Sequence, residues 1–274
     1  MLGMQIYTDQ LARAISLPLY PKRIISLVPS QTELLFELGL DTEIVGITKF
    51  CIHPKEKYKG VTKIGGTKQI NIAKIRDLKP DLIIGNKEEN EKSQIEILMQ
   101  EFPVWMSCID NLNDALSMIF QVGEMVGKNY EANVLIKKLS ESFGELSLEV
   151  ESRKLIPSNK KLKVAYFIWK NPYMAAGKHT FIDNMLQIAG WENAFNLDRY
   201  PEVDTMDLIQ ASPDVILLSS EPYPFNESHL LEFKKICPDA QIFVVDGELF
   251  SWYGSRLKHT PAYLQKLIKE FSII

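Results

Sequence analysis

Two segments of this chain, residues 71–84 and 204–217, follow the same residue pattern without a gap. Each begins with a residue suited to cap a helix, Asn71 or Asp204, continues with an amphipathic stretch, and then has Pro-Asp before an apolar run. Proline cannot continue a helix, and a short apolar run bounded by such a signal is typical of a buried strand. The repeat therefore predicts a short helix followed by a buried strand in two separate parts of the chain.

Strand-like and helix-like segments alternate throughout both parts. The helix-like segments include residues 91–101 and 180–189, and Pro29 followed by Ser30-Gln-Thr-Glu33 predicts a capping box at the start of the first helix. Alternating strands and helices are typical of a parallel sheet. The predicted strands are residues 24–28, 44–48, 82–85, 104–105, 162–169, 215–218 and 242–245.

A long helical segment separates the two parts. Apolar residues recur at three- and four-residue steps from Leu112 to Val150, Gly127 predicts a break, and residues 130–151 would extend roughly 33 Å as a helix. We therefore predict an α/β fold with two similar lobes, each with a mainly parallel sheet, joined by one long backbone helix, with a ligand cleft between the lobes. The predicted boundaries are 1–126 for the N-terminal lobe, 127–158 for the linking helix and 159–274 for the C-terminal lobe.

Composition excludes several classes of protein. The chain has 274 residues, 46% of them hydrophobic, which is enough for a sizeable core, and a net charge of −4, which argues against a nucleic-acid partner. No apolar run reaches the length of about 18 residues that a membrane-spanning helix needs. Cys51, Cys108 and Cys237 are too few and too far apart for a disulfide framework or a zinc knuckle, and we interpret them as reduced and structural.

Signatures of common enzymes are absent from the sequence. The metalloprotease, P-loop and serine-hydrolase motifs do not occur, and the four histidines are widely scattered. Gly65-Gly66 suits a tight turn rather than a phosphate-binding loop, and His179 is interpreted as a loop residue before a helix cap. We therefore predict no catalytic residue, no metal ligand and no cofactor. The alternative is an enzyme in which Glu221, His179 or Lys68 transfers protons.

Aromatic residues follow several of the predicted strands, where loops of parallel sheets bind ligands. Phe50, Trp169 and Tyr173 are examples, and the densest group is Phe250-Ser-Trp252-Tyr253-Gly-Ser-Arg256. Aromatic faces and an arginine fork suit a large, flat or anionic ligand such as a macrocycle or a metal chelate. We interpret the chain as a binding protein for such a ligand.

The opening of the chain contains the segments Tyr7-Thr-Asp9, Leu17-Pro18, Pro21-Lys-Arg23 and Thr32-Glu33-Leu. It resembles the opening of helical-backbone substrate-binding proteins, which serve ABC importers of metal chelates. The similarity continues through Ala176-Gly177-Lys178 and the repeat, so it covers nearly the whole chain, and cobalamin-binding members look closest. This resemblance implies two α/β lobes joined by one long helix. It also implies that the ligand, a corrinoid, haem or ferric siderophore, is cargo and not a cofactor.

Loops carried over from the resemblance supply the candidate ligand-binding residues. Lys68 and Leu249 stand where cobalamin-binding relatives have aromatic residues, so the ligand is a metal chelate or macrocycle of undetermined type. The candidates are Ser30, Phe50, Lys68, Lys87, Trp169, Tyr173, Glu221, Phe250, Trp252, Tyr253 and Arg256.

The resemblance also bears on the partner and the compartment. Relatives present one glutamate from each lobe to an ABC permease, but Ala73 and Met206 occupy those positions here, with Lys74 and Asp207 beside them. Residues 1–19 lack the features of a secretory signal, so we expect a cytoplasmic location. The alternative to an importer component is a cytoplasmic chelate carrier, a sensor or a regulatory binding protein that does not dock to a permease. A periplasmic or lipid-anchored location is expected instead if the true start lies upstream.

Overall fold

The computed structural model describes residues 3–154 and 161–271 of the chain. These residues form two compact units. Unit 1 consists of the described residues of Met1–Ile109, Asn113–Lys138 and Tyr253–Arg256. Unit 2 consists of those of Asp110–Leu112, Leu139–Trp252 and Leu257–Ile274. None of the described helices is both long and apolar enough to cross a membrane.

Unit 1 is built on a parallel sheet with the strand order β5-β4-β3-β6-β7. A separate antiparallel hairpin, β1–β2, precedes it in the chain. Apolar residues from β3, β6 and β7 form the buried core together with residues of α2 and α3. The elements are β1 (Met4–Thr8), β2 (Ala14–Pro18), β3 (Ile24–Ser26), α1 (Pro29–Glu37), β4 (Ile44–Ile47), β5 (Thr62–Lys63), α2 (Ile72–Leu78), β6 (Leu82–Asn86), α3 (Lys92–Met99), β7 (Val104–Ser107) and α4 (Leu112–Met125).

The long helix α5 extends over Asn129–Lys154, and its residues up to Lys138 belong to unit 1 and those from Leu139 to unit 2. Gly127 separates it from α4, as predicted. This glycine has φ +71°, and a Cβ there would lie 2.5 Å from the Tyr20 ring, so both its backbone and its surroundings exclude a larger residue. Residues 155–158 of the predicted linking helix lie outside the described residues.

Unit 2 repeats the same layout, with a parallel sheet in the order β10-β8-β11-β12 and β9 antiparallel to β8. Its core is rich in aromatic rings, which include those of Phe167, Phe195 and Phe233. The elements are β8 (Lys163–Trp169), β9 (Met174–Ala175), α6 (Phe181–Ile188), β10 (Glu192–Asn193), α7 (Thr205–Ala211), β11 (Val215–Ser219), α8 (Leu230–Ile236), β12 (Gln241–Val245), α9 (Glu248–Ser251) and α10 (Thr260–Phe271).

The sequence repeat is a structural repeat, and the prediction of helix, Pro-Asp and strand is confirmed in both units. The side chain of Asn71 caps α2, and that of Asp204 caps α7 in a capping box with Asp207. Both helices end at a residue in the left-handed conformation, Lys79 with φ 46° and Ser212 with φ 44°. Each unit therefore ends its short helix with the same tight reversal before the proline.

The aspartate of each Pro-Asp pair fixes the start of a neighbouring strand. The carboxylate of Asp81 accepts hydrogen bonds from the backbone N–H groups of Lys22 and Arg23, each at 2.8 Å, just before β3. In unit 2 the carboxylate of Asp214 accepts one from the N–H of Lys163 at 2.9 Å, where β8 begins. The same residue type thus aligns corresponding strands in both sheets.

The predicted capping box at the start of α1 is wrong. The helix begins at Pro29, two residues earlier than the prediction requires, because proline suits the first helical position. Ser30 is therefore inside the first turn, and the carboxylate of Glu33 binds Arg256 instead of the helix start. Among the described residues, no side chain caps the N-terminus of α1.

Candidate functional site

The loops at the carboxyl edge of the unit 1 sheet are connected by the buried side chain of Asn90. Its amide nitrogen donates to the carbonyl oxygen of Leu27, after β3, at 3.2 Å and to that of Thr67, after β5, at 3.1 Å. Its amide oxygen accepts from the N–H of Asn86, at the end of β6, at 2.8 Å. One side chain thus holds the loops that follow three different strands. The sequence analysis did not identify this residue.

We expect Asn90→Ala to lower the free energy of unfolding by about 2 kcal/mol, because it leaves several buried backbone groups without a partner. The measurement is urea unfolding followed by circular dichroism. Gln69→Ala, in the same loop as Thr67 but with an exposed side chain, serves as the control and should change stability little. A wild-type unfolding curve for Asn90→Ala would show that the loops are held in another way.

Three of the predicted ligand-binding residues are exposed on this edge of unit 1. The Phe50 side chain is 51% exposed, and Lys68 and Lys87 are also exposed. The ammonium group of Lys68 donates to the carbonyl oxygen of Glu88 at 2.5 Å, which joins the loop after β5 to the loop after β6. The structure thus brings together one aromatic face and two positive charges at a sheet edge suited to ligand binding.

Lys49 belongs to the same surface, although the prediction selected only its neighbour Phe50. Its ammonium group lies 5.0 Å from the centroid of the Phe50 ring, within the range of a cation–π interaction. A Cβ at Gly66 would lie 3.1 Å from the Phe50 ring and 3.5 Å from Cε of Lys49, so a glycine lets the β5–α2 loop approach both side chains closely. The basic residue beside an aromatic one was the signal in the sequence.

Ser30 lies in the first turn of α1, also at this edge, and its side chain is buried. The N-terminus of α1 carries the partial positive charge of the helix dipole. Beneath it, the thiol of buried Cys51 lies 3.2 Å from the hydroxyl oxygen of Thr32, and burial raises the thiol pKa, which favours the neutral form. These features agree with a structural role for Cys51.

Trp169, at the end of β8, is the most exposed predicted residue of unit 2, with a side chain that is 40% exposed. Its ring packs edge-to-face against Tyr223, with the centroids 5.8 Å apart. The Tyr223 ring in turn packs at a tilt against Phe225 and edge-to-face against His229. A pre-packed aromatic surface therefore follows β8 and β11, and the ligand contact of Trp169 remains a prediction.

Tyr173 is part of a polar group beneath that surface. Its hydroxyl donates to the carboxylate of Glu232, which also accepts from the ammonium group of Lys170 at 2.5 Å. The bonds from Lys170 and Tyr173 lower the pKa of Glu232, while burial and then the bond to Glu232 raise that of Tyr173. Tyr173 therefore stays protonated, and the charge of Lys170 is balanced within unit 2.

Glu221 organises the loop that contains Trp252. Its Oε1 accepts hydrogen bonds from the indole N–H of Trp252 at 2.7 Å and from the hydroxyl of Ser251 at 2.9 Å. Trp252 and Tyr253 are both buried. In this conformation the side chains of Glu221 and Trp252 are hydrogen-bonded to each other. That either side chain contacts a ligand remains a prediction.

The structure corrects the prediction for Phe250, whose side chain is fully buried. Its ring centroid lies 5.0 Å from that of Tyr166 and 6.1 Å from that of Tyr263, so the residue packs in the core of unit 2. The irregular spacing of the aromatic residues predicts a binding loop, but α9 is too short to show helical periodicity.

Arg256 lies in unit 1, where its guanidinium donates to both carboxylate oxygens of Glu33, at 2.9 and 2.7 Å.

The described residues 3–154 and 161–271 contain no group of three or more histidine, cysteine, aspartate or glutamate side chains arranged to hold a metal ion. What the two sheet edges offer is aromatic faces, ammonium groups and hydroxyls. Groups of these kinds are the ones that bind and orient ligands in protein clefts, and none of them forms a metal site among the described residues.

Comparison with known proteins assigns this chain to a family. The family model of the periplasmic binding protein matches residues 24–235. An ABC transporter substrate-binding lipoprotein of Bacillus subtilis is 30% identical over 206 residues, which cover 72% of this chain and 63% of the relative. The chain thus spans less than two thirds of that relative's length.

Solved structures share the fold over almost their whole length. The periplasmic vitamin B12-binding protein of Vibrio cholerae superposes with a TM-score of 0.79 at 19% identity, covering 92% of this chain and 98% of that one. The periplasmic haem-binding protein of Roseiflexus superposes with a TM-score of 0.77 at 21% identity, covering 91% and 98%. The predicted two-lobed α/β fold with parallel sheets is confirmed.

These matches also bear on the predictions of activity and compartment. The family consists of binding proteins and not of enzymes. Its description as periplasmic, together with the lipoprotein relative, supports the periplasmic or lipid-anchored alternative, and the expected cytoplasmic location is not supported. Over most of its length, and in the fold of both units, this chain belongs to the periplasmic binding protein family.

Proposed function

We propose that this protein is the substrate-binding component of an ABC importer and that its ligand is a metal chelate or macrocycle: a corrinoid, haem or a ferric siderophore. The observation that carries the proposal is an exposed aromatic ring at the carboxyl edge of each parallel sheet, Phe50 in unit 1 and Trp169 in unit 2. A large flat ligand is bound by burying its faces against aromatic side chains, and these rings lose little side-chain entropy when they bind. The folds of vitamin B12-binding and haem-binding proteins support the same ligand class.

The proposal includes a location outside the cytoplasmic membrane and a permease as partner, as for the lipoprotein relative. Ala73 and Met206 are exposed on α2 and α7, so the surfaces that carry glutamates in the resemblance carry uncharged side chains here. Asp207, next to Met206, is exposed, and its carboxylate accepts a hydrogen bond from the N–H of Asp204 at 2.9 Å within the capping box, whereas α2 has no corresponding acidic residue at Ala73. We propose that the permease of this system recognises these helices without a pair of glutamates.

The test of the ligand class is a calorimetric titration of the purified protein with cyanocobalamin, cobinamide, haemin and ferric siderophores. We expect saturable binding of one class with a dissociation constant near 1 μM or lower, about −8 kcal/mol. Trp169→Ala should weaken that binding by about 1–3 kcal/mol, because it removes an exposed aromatic contact.

Tyr130→Ala provides the matched control, since Tyr130 is an exposed aromatic residue on α5, remote in sequence from the loops of either sheet edge. It should leave the affinity unchanged. If none of the four ligand types binds, the proposed function is wrong. If a chelate binds equally well to Trp169→Ala and to the wild type, the aromatic surface of unit 2 is not part of the site.

A further inference from the structure

The carboxyl edge of the unit 1 sheet carries an unusual set of exposed ammonium groups. Lys49 follows β4, Lys68 follows β5 and Lys87 follows β6, so a lysine stands in each of three successive loops. All three side chains are exposed. Positive charges on adjoining loops raise the local concentration of anions and favour their binding.

Backbone contacts bring these three loops together. The N–H of Lys49 donates to the carbonyl oxygen of Gly65 at 2.8 Å, which joins the first loop to the second. The ammonium group of Lys68 reaches the carbonyl of Glu88, and Asn90 reaches that of Thr67, which joins the second loop to the third. The lysines therefore belong to one surface and are not scattered over unit 1.

Nearby acidic groups offset this charge only in part. Glu88 and Glu89, in the loop after β6, are both less exposed than the lysines. Burial raises the pKa of Glu89, with Lys68 opposing the shift, so its carboxyl has an increased tendency to be neutral. The N-terminus of α1, which begins at the same edge, adds a partial positive charge.

The lysine at the corresponding edge of unit 2 is different, because it is half-buried. Lys170 follows β8, but its ammonium group is paired with the carboxylate of Glu232. The Trp169 and Tyr223 rings dominate that edge instead. The excess of positive charge is thus a property of unit 1.

We infer that the lysines of unit 1 make this protein selective for chelates that carry negative charge, with carboxylate or catecholate oxygens bound by Lys49, Lys68 and Lys87 and an apolar face of the ligand against Phe50. The inference rests on the proposed function and specifies its substrate class. Oxygen atoms that bear charge accept shorter and stronger hydrogen bonds from ammonium groups than neutral oxygens do. A neutral or cationic chelate would leave the three ammonium groups without counter-charges.

The experiment compares pairs of ligands that differ in charge, and the haemin pair differs in little else. Haemin and its dimethyl ester share one macrocycle, but only haemin has ionised propionates. A ferric tris-catecholate, which is anionic, is compared in the same way with a neutral ferric tris-hydroxamate. Calorimetry with the full chain measures each dissociation constant at about 50 mM and about 500 mM salt.

We expect the anionic member of the bound pair to bind at least about tenfold more tightly at low salt, with the difference shrinking at high salt. The variant Lys49→Gln, Lys68→Gln, Lys87→Gln should lose this preference, because its affinity for the anionic member falls much more than its affinity for the neutral member. Lys92→Gln, an exposed lysine on α3, is the matched control and should keep the preference. Thermal melting of each variant verifies that it folds.

The outcomes separate this inference from the proposal on which it rests. If no chelate of either charge binds, the proposed function is wrong and the inference fails with it. If the neutral member binds as tightly as the anionic one, or if the triple variant keeps the preference, the protein is still a chelate-binding protein and only the charge selectivity is disproved.

Discussion

Replacing Arg256 with methionine is expected to lower the free energy of unfolding by about 3 kcal/mol. The guanidinium of Arg256 makes two hydrogen bonds to the carboxylate of Glu33, and each side chain is only 14% exposed. The variant keeps much of the side-chain volume but leaves the Glu33 carboxylate largely buried without its counter-charge. Urea unfolding of the two proteins at neutral pH measures the difference.

The same geometry on the surface gives a control. Arg76 also contacts both carboxylate oxygens of Glu101, but that pair is open to solvent, and we expect Arg76→Met to change stability little. The double variant Arg256→Met, Glu33→Met should recover part of the loss, since no charge is then left buried. Equal effects at the buried and exposed pairs would contradict this account.

Leu139→Ala is expected to lower the free energy of unfolding by about 3 kcal/mol. Leu139 is 1% exposed and is the first residue of α5 that belongs to unit 2. Its truncation removes buried methyl groups and leaves a cavity that the neighbouring side chains fill only in part. Thermal and urea unfolding, followed by circular dichroism, measure the loss.

Leu148→Ala is the matched control, because it makes the same substitution in the same helix. Leu148 is 73% exposed, so the identical substitution removes no core contact and replaces leucine by a slightly better helix former. We expect a change within about 0.5 kcal/mol. A loss at Leu139 as small as that at Leu148 would mean that α5 is not anchored in the core of unit 2.

Periodicity and helix caps predicted most of the repeated architecture. The strands of both parallel sheets contain buried apolar runs, and the caps at Asn71 and Asp204 form as predicted. The hairpin β1–β2 was missed because β1 is exposed along most of its length and its exposed residues include the apolar Met4 and Ile6, so the alternation of buried apolar and exposed polar residues that indicates a strand is absent. The short helix α9 was missed because it has too few residues for a periodic signal.

The candidate site was less predictable than the fold. Phe50 and Trp169 could be selected because they follow predicted strands of a parallel sheet, whereas Lys68 came only from the family resemblance. Phe250 follows a strand in the same way but packs in the core, and sequence spacing cannot distinguish the two environments. Asn90 had no local signal, because its role depends on carbonyl groups that are distant in the sequence.

The segment Tyr253–Arg256 belongs to unit 1, although unit 2 contains the chain on both sides of it. The ribosome therefore adds the last residues of unit 1 only after nearly all of unit 2 has been made, and Glu33 precedes its partner Arg256 by 223 residues. Domains generally fold as units in the order of their synthesis. Here unit 1 cannot complete its structure until the part of the chain that forms most of unit 2 has also been made.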